Sequence, residues 1–166
     1  MKIKKIVVFS FEDLSDSSKV RARAIFQSSH EYPHFLEAKA SLEAFVHHFG
    51  ARIMDYSLSD EVYRSYVKTT IEPSYFRGMK LRDFKRDHMP TGLWLDCSLW
   101  ASFYDEFKKT GHAHQAFNQA LESFLCELGS DIESSYSDES IEEFIVINEY
   151  EFNEDGSWFT GKEIAA

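Results

Sequence analysis

Apolar side chains recur every three or four residues between His112 and Leu128, and this pattern constrains the fold more than any other stretch. They are Ala113, Phe117, Ala120, Leu121, Phe124 and Leu128. Such spacing places them on one side of an α-helix, which must bury that side against another element. A second stripe predicts a helix over 33–49 that ends at Gly50. Its members are Phe35, Ala38, Leu42, Phe45 and Phe49.

Short runs rich in β-branched and aromatic residues predict strands. They cover 3–11, 51–58, 62–71 and 93–97, and a hairpin over 149–159 has its turn at Asp155-Gly156. Helices are expected after Ser15, over 98–109 and after Ser137, and the helix from His112 should end or bend at Gly129. We therefore predict one α+β domain over residues 1–166, with an antiparallel or mixed sheet and helices packed on one of its faces.

The net charge is −10, and the acidity is concentrated in one part of the chain. Residues 101–166 carry 15 acidic side chains against three lysines, whereas residues 1–100 carry 13 acidic and 15 basic side chains. A surface of this sign repels nucleic acid and attracts basic protein surfaces, including those that bind nucleic acid. Solubility alone is the other explanation for such a charge.

Ten carboxylates lie within 25 residues of this acidic part. They are Asp131, Glu133, Asp138, Glu139, Glu142, Glu143, Glu149, Glu151, Glu154 and Asp155. We predict that a helix and a hairpin pack side by side and present them as one acidic face, which imitates phosphates and binds a partner protein. For neighbouring pairs such as Glu142 and Glu143, a solvated face is a more economical interpretation than general acid and base catalysis.

The stretch His30-Glu31-Tyr32-Pro33-His34 matches the H-E-x-x-H pattern of zinc peptidases. That chemistry needs both imidazoles on one face of a continuous helix. A proline in a helix interior costs about 3 kcal/mol, and Pro33 also disfavours the helical conformation of the residue before it. We therefore predict a helix boundary here, and no metal or other cofactor.

Motifs of catalysis are missing from the sequence. It has no phosphate-binding loop and no G-x-S-x-G elbow for a nucleophile. Cys97 and Cys126 form no C-x-x-C motif, which predicts a reduced, cytosolic pair. We therefore predict a protein that is not an enzyme, and the alternative is an enzyme whose site is assembled from distant residues.

The segment 77–87 is the basic part of the chain, with five basic residues and two aspartates. Clustered Arg and Lys side chains with Tyr75 and Phe84 nearby would suit nucleic-acid contacts. Because the aspartates dilute the charge, we favour an ordinary charged helix or an internal partner for the acidic part. No apolar run approaches the ~20 residues that span a bilayer, and the opening MKIKKIVVFSF predicts a strand instead of a signal peptide.

Two segments resemble a family of small acidic bacteriophage and prophage proteins that are often labelled antitoxin-like or hypothetical. Residues 8–23, VFSFEDLSDSSKVRAR, are similar to the family's strand, its F-x-E/D-L-S turn and its charged helix. Residues 137–159, SDESIEEFIVINEYEFNEDGSWF, are similar to its helix, its N-E-Y-E-F-x-E-D-G motif and its final aromatic residue. The resemblance implies a phage-related origin, brings no catalytic residues, and does not extend to residues 59–92.

Together, the acidic face and the resemblance predict a phage- or prophage-encoded inhibitor in the cytoplasm of a bacterial host. Its expected partner is a host protein with a basic nucleic-acid-binding surface. A CRISPR effector is the first candidate, which would make the chain an anti-CRISPR protein that touches neither nucleic acid nor membrane. An antitoxin that covers a basic toxin is the alternative.

Overall fold

The computed structural model describes residues 7–29, 31–58 and 64–161. These ranges contain five α-helices: α1 (Asp16–Ser29), α2 (Phe35–His48), α3 (Trp94–Thr110), α4 (Ala113–Ser135) and α5 (Asp138–Ile147). The strands are β1 (Phe9–Ser10), β2 (Arg52–Ser57), β3 (Tyr66–Thr70) and β4 (Glu151–Phe152), and 3₁₀ turns lie at Pro73–Phe76 and Leu81–Asp83. The fold class is α+β, as predicted.

The described chain divides into two compact units. Unit 1 comprises residues 1–31 and 134–166, and unit 2 comprises residues 32–133. Each unit contains one antiparallel sheet of two strands, β1 with β4 in unit 1 and β2 with β3 in unit 2. The antiparallel pairing was predicted. The division into units does not test the prediction of a single domain, which stays a prediction.

Unit 1 packs α1 and α5 around a small aromatic core. Its buried members are Phe11, Leu14, Ala22, Phe26, Ile141, Ile145 and Phe152. Both predicted N-caps are confirmed, because the hydroxyls of Ser15 and Ser137 each accept the backbone N–H three residues later at 3.2 Å. The predicted hairpin is confirmed as well: Phe152 bridges Trp158, and Gly156 supplies the positive φ of the turn.

Unit 2 has a core of aromatic rings between α2, α3 and α4. Phe45, Phe49, Trp100, Phe103 and Phe117 are all fully buried. The rings of Phe45 and Phe117 are stacked, with centroids 5.5 Å apart, so the apolar sides of α2 and α4 meet as their periodicity predicts. In β3 the alternation of half-buried and exposed residues confirms a half-exposed strand.

The strand predicted over 93–97 is wrong, because α3 begins at Trp94. Asp96 is fully buried, and its Oδ2 accepts the backbone N–H groups of Thr91 and Gly92 at 2.8 and 3.1 Å and the Thr91 hydroxyl at 2.8 Å. These bonds hold the turn that leads into the helix. Leu95 and Leu99 are buried one turn apart, which is helical and not strand spacing.

Two further expectations are corrected. Helix α4 does not end at Gly129 but continues to Ser135, because Ile132 extends the buried stripe of Leu128 by one turn and offsets the roughly 1 kcal/mol that glycine costs in a helix. The basic segment 77–87 is not a helix beyond the 3₁₀ turn Leu81–Asp83. Residues 3–6 of the first predicted strand and the predicted turn at 59–61 lie outside the described residues.

Candidate functional site

The ten predicted carboxylates are divided between the two units. Asp131 and Glu133 lie on α4 in unit 2. The other eight lie in unit 1, four on α5 and four on the segment 149–155 that contains β4. We call these eight carboxylates the acidic surface of unit 1.

Asp131 is hydrogen-bonded within unit 2. Its carboxylate accepts a hydrogen bond from the hydroxyl of Tyr32, which is 3% exposed. Burial and the Asp131 carboxylate together raise the pKa of Tyr32 above its ordinary value. Asp131 is half-buried, whereas Glu133 is exposed. Asp131 therefore helps to hold the start of unit 2 and is a poor candidate for contact with a partner.

Asp138 and Glu142 lie one helical turn apart on α5, and both face Arg23 of α1. Arg23 Nη1 donates to Glu142, and Arg23 Nε lies 3.5 Å from Asp138 Oδ2. Gln27 Nε2 also donates to Asp138, at 3.0 Å. The side chain of Arg23 is only 21% exposed. These two carboxylates therefore hold α1 against α5 and are not free to bind a partner.

Asp155 is paired within the hairpin turn and with α1. Its carboxylate accepts the Ser157 hydroxyl at 2.7 Å and the Ser157 backbone N–H at 2.9 Å, and Arg21 Nη1 lies 2.6 Å away. The two Ser157 bonds, supported by Arg21, hold the pKa of Asp155 below its ordinary value. Asp155 therefore stabilises the turn.

The remaining five carboxylates of the acidic surface are exposed, and none has a side-chain hydrogen bond or ion pair within the described ranges. They are Glu139, Glu143, Glu149, Glu151 and Glu154. Glu139 and Glu143 lie about 6 Å apart along the α5 axis, because each residue of a helix rises 1.5 Å. These five, together with the exposed Glu133 of unit 2, and not all ten, are available to an external cation.

Helix α5 ends in a Schellman motif whose left-handed position is occupied by Glu149. The Tyr150 N–H donates to the Ile145 carbonyl at 3.2 Å, and the Glu149 N–H donates to the Val146 carbonyl at 3.1 Å. Glu149 has a φ of 52°, and it is the only residue other than glycine with a positive φ in the described chain. Glycine normally takes this position, since a side chain is strained there.

Apolar side chains lie among these glutamates. Ile147 is 78% exposed, Val146 44% and Phe144 39%. Of the apolar residues of α5, only Ile141 and Ile145 are buried. The last turn of α5 therefore presents apolar groups to solvent between Glu143 and Glu149.

The H-E-x-x-H stretch lies at a helix boundary, as predicted. Pro33 precedes α2, and His34 is its N-cap residue, with Nδ1 3.0 Å from Glu37 Oε2. His30 lies outside the described residues. Within 7–29, 31–58 and 64–161, no group of three or more His, Cys, Asp and Glu residues is placed to hold a metal ion.

Unit 2 contains an aromatic cleft that was not predicted from the sequence. The rings of His48 and His88 both stand edge to face against Trp100, with centroids 4.6 and 4.5 Å from it. Phe84 and Lys85 also line this cleft, which has a volume of about 210 Å³. Burial and the neighbouring His88 lower the pKa of His48. The two histidines are 40 positions apart in the chain, so no local pattern indicates their contact.

The basic segment finds one acidic partner within unit 2. Arg86 forms a bidentate pair with Asp105 of α3, with Nε and Nη2 each donating at 2.9 to 3.1 Å. The bond from Arg86 holds the pKa of Asp105 below its ordinary value. One predicted function of this segment, an internal partner for acidic residues, therefore applies to Arg86.

Comparison with known proteins leaves the function to be inferred from the site. No protein-family model, curated protein or solved structure matches the chain. None of the described helices combines the length and the apolar character that crossing a membrane requires. The resemblance to the phage family therefore stays a prediction.

Proposed function

We propose that the chain is a non-enzymatic inhibitor, encoded by a phage or prophage, that binds a basic nucleic-acid-binding protein of its bacterial host. The supporting observation is the group of five exposed glutamates in unit 1 that have no side-chain partner among the described residues. The phage origin rests on the resemblance of residues 8–23 and 137–159. A CRISPR effector is the partner to test first.

The described basic residues of unit 1 do not neutralise this surface. Among its described residues only Lys19, Arg21 and Arg23 are basic, and both arginines are engaged, by Asp155 and by the Asp138 and Glu142 pair. Lys19 lies 5.9 Å from the centre of the Phe11 ring. The field of the five glutamates therefore extends into solvent, where it attracts a basic surface and speeds association.

The apolar residues beside the glutamates favour a partner protein over solubility as the reason for the charge. A surface that serves solubility alone gains nothing from an Ile147 that is 78% exposed. Interfaces between proteins combine an apolar centre with a polar rim. Glu143 and Glu149 flank the apolar end of α5 in this manner, Glu139 lies one turn before Glu143, and the three would form the charged part of the contact.

The acidic surface is too short to imitate a long duplex. Glu139 and Glu143 lie four residues apart and form a column along one face of α5. The next residue in that column, four positions further on, is Ile147. DNA carries a phosphate about every 3.4 Å along each strand, so the column corresponds to a few phosphates. The inhibitor would therefore cover a small basic patch and would not fill a nucleic-acid channel.

The test uses purified CRISPR effectors and two matched double variants. Glu139→Gln with Glu143→Gln removes two charges from the acidic surface, whereas Glu122→Gln with Glu127→Gln removes two exposed charges from α4 in unit 2. We expect the wild-type chain to bind one effector, to block its DNA cleavage and to restore phage plating on an immune host. The first variant should weaken these effects about tenfold or more, and the control should not.

Two results would overturn the proposal. Loss of binding by both double variants to the same extent would indicate a general effect of net charge. Rescue of growth from a neighbouring toxin, without binding to any effector, would establish the antitoxin function instead.

A further inference from the structure

A groove in unit 1 has apolar walls and an acidic rim. Phe9, Phe11 and Val146 contribute apolar surface, and Glu12, Glu149 and Glu151 contribute carboxylates. The groove lies where the segment that continues from β1 meets the end of α5. All the residues that line it belong to the described part of unit 1, and none of these is basic.

The size of the groove fits one long side chain. Its volume is about 280 Å³, which is slightly below the roughly 300–1,000 Å³ of sites that hold small molecules. Its rim carries three carboxylates, so the chemistry that complements it is cationic at one end and apolar along its length. Only lysine and arginine combine these properties among the protein side chains.

Arginine fits this groove better than lysine. Its planar guanidinium binds carboxylates through two parallel hydrogen bonds and also stacks on aromatic rings. The groove offers both features, with Glu149 and Glu151 on the rim and Phe9 and Tyr150 among the lining rings. The ammonium of lysine is a strongly hydrated point charge, which loses more hydration in such a site.

The strained backbone conformation of Glu149 indicates that its side chain has a function. A glutamate there accepts the strain of a φ of 52°, where glycine would end α5 without it. Strained residues of this kind are found where a side chain has a function. The Schellman bonds fix the backbone of Glu149, so the start of its side chain at the groove is also fixed.

We propose that this groove receives an arginine side chain from the basic surface of the partner protein. This inference rests on the proposed function and specifies the residue type that the partner inserts. Glu149 and Glu151 would bind the guanidinium, and Phe9, Phe11 and Val146 would cover the aliphatic part.

The first test is direct and needs no identified partner. The ¹⁵N-labelled full chain is titrated with the peptide N-acetyl-Gly-Arg-Gly-amide and with its citrulline and lysine analogues. We expect the arginine peptide to shift the amide signals of residues 9–12 and 145–151. Citrulline has the same shape without the charge, so it should bind about tenfold more weakly, since a hydrogen bond to a charged group contributes about 1.5–3 kcal/mol. Equal binding of the arginine and citrulline peptides, or shifts confined to residues outside the groove, would refute the inference.

The second test separates this inference from the proposed function. Glu149→Gln with Glu151→Gln is compared with Glu139→Gln and Glu143→Gln, which removes the same charge from α5 outside the groove. If the groove holds arginine, only Glu149→Gln with Glu151→Gln should abolish binding of the arginine peptide. This pair should also weaken binding of the partner effector more than the second pair does. Equal effects of the two pairs of substitutions on binding of the effector would refute the insertion of an arginine into the groove. The proposed function would then still stand. No effect of either pair on the effector would refute the proposed function itself.

Discussion

Glu149 and Gly156 both have positive φ angles, 52° and 81°, but for different physical reasons. At Gly156 the space is closed: an added Cβ would lie 2.2 Å from the carbonyl oxygen of Ser18. At Glu149 a side chain is present in spite of the strain. The first position is dictated by close packing of the hairpin on α1, and the second suggests a use for the carboxylate.

The strain at Glu149 predicts that Glu149→Gly stabilises the protein. A left-handed conformation costs a residue with a Cβ about 1–2 kcal/mol, and glycine loses about 0.5–1 kcal/mol through its freedom in the unfolded chain. We expect a net gain of about 0.5–1 kcal/mol in the free energy of unfolding by urea. Glu149→Gln keeps the strain and should change the stability by less than about 0.5 kcal/mol. A less stable glycine variant would contradict this account of the α5 terminus.

The close approach at Gly156 predicts a large loss of stability for Gly156→Ala. The methyl group would overlap the Ser18 backbone, so either the turn or the N-terminus of α1 must move. We expect a loss of about 2–4 kcal/mol, from the clash and the positive φ together. Gly111→Ala is the matched control, because Gly111 has a φ of 71° with nothing within 4 Å, and it should cost only about 1 kcal/mol. Equal losses in the two variants would show that packing on Ser18 has no effect.

The cleft around Trp100 predicts that the stability of the protein depends on pH through the protonation of His48. Because burial and His88 lower the pKa of His48 from 6.5, the unfolded chain binds more protons than the folded chain between the lowered pKa and 6.5. This contribution to stability is complete above about pH 6.5 and is lost as the pH falls toward the lowered pKa. Asp83 and Lys85 also line the cleft, so they are kept in all variants.

The measurement is the urea midpoint between pH 5 and pH 8, followed by tryptophan fluorescence. His48→Gln should flatten the slope of the midpoint against pH in the acidic part of this range. His47→Gln, at the neighbouring position that does not line the cleft, should leave the slope unchanged. The interpretation fails if the slope persists in His48→Gln.

At the scale of elements, α1 and α5 are joined by both apolar and charged contacts. Phe26 packs in the core with Ile141 and Ile145, while Arg23 bridges Asp138 and Glu142 beside it. Without Arg23, two carboxylates one turn apart would repel each other beside the interface. The bridge is therefore part of the packing of unit 1.

This arrangement predicts that the two arginines of α1 differ in their effect on stability. Arg23→Ala should cost about 1–2 kcal/mol, because its half-buried bonds are lost and the two carboxylates lose the positive charge between them. Arg21→Ala should cost less than about 0.5 kcal/mol, since Arg21 and Asp155 are both more than half exposed. Hydrogen exchange should locate the Arg23→Ala effect in α1, α5 and the hairpin and leave α2 and α3 protected. Equal costs would exclude a special contribution of the bridge.

At the scale of the whole molecule, the net charge is −10 and the end of α5 exposes apolar side chains. We therefore expect the contact with the partner to have an electrostatic and an apolar component. Attraction between exposed charges is screened by salt, with a Debye length of about 8 Å at 0.15 M, whereas apolar contacts are not. The effect of Glu139→Gln with Glu143→Gln on partner affinity should therefore largely disappear at high salt. The effect of Ile147→Ser should persist.

We expect Ile147→Ser to weaken partner binding about tenfold or more at both low and high salt, because a buried apolar side chain of this size contributes about 1.5–3 kcal/mol. Val20→Ser removes a similarly exposed valine, 57% accessible, from α1 and should have no effect. Titration calorimetry at two salt concentrations gives all the affinities. An interface that is insensitive to Ile147→Ser would be electrostatic alone.

Local physics explains which features could be predicted from the sequence. The helices α2, α4 and α5, the caps at Ser15 and Ser137 and the hairpin turn at Gly156 follow from periodicity, hydroxyl acceptors and backbone freedom within a few residues. The apolar run 93–97 was misassigned, because its helical state depends on Asp96 bonding back to Thr91 and Gly92. Composition cannot reveal a bond of that kind.

The sequence by itself determined the α+β class, the boundary at Pro33 and the concentration of carboxylates in residues 131–155. Only the tertiary structure decided which carboxylates are free. Arg21 and Arg23, Ser157 and Tyr32 take up four of them, and the other six remain exposed: Glu133, Glu139, Glu143, Glu149, Glu151 and Glu154. The physical reason is that ion pairs and burial join residues more than 90 positions apart in the chain, such as Arg23 and Glu142, whereas charge and periodicity are properties of neighbours.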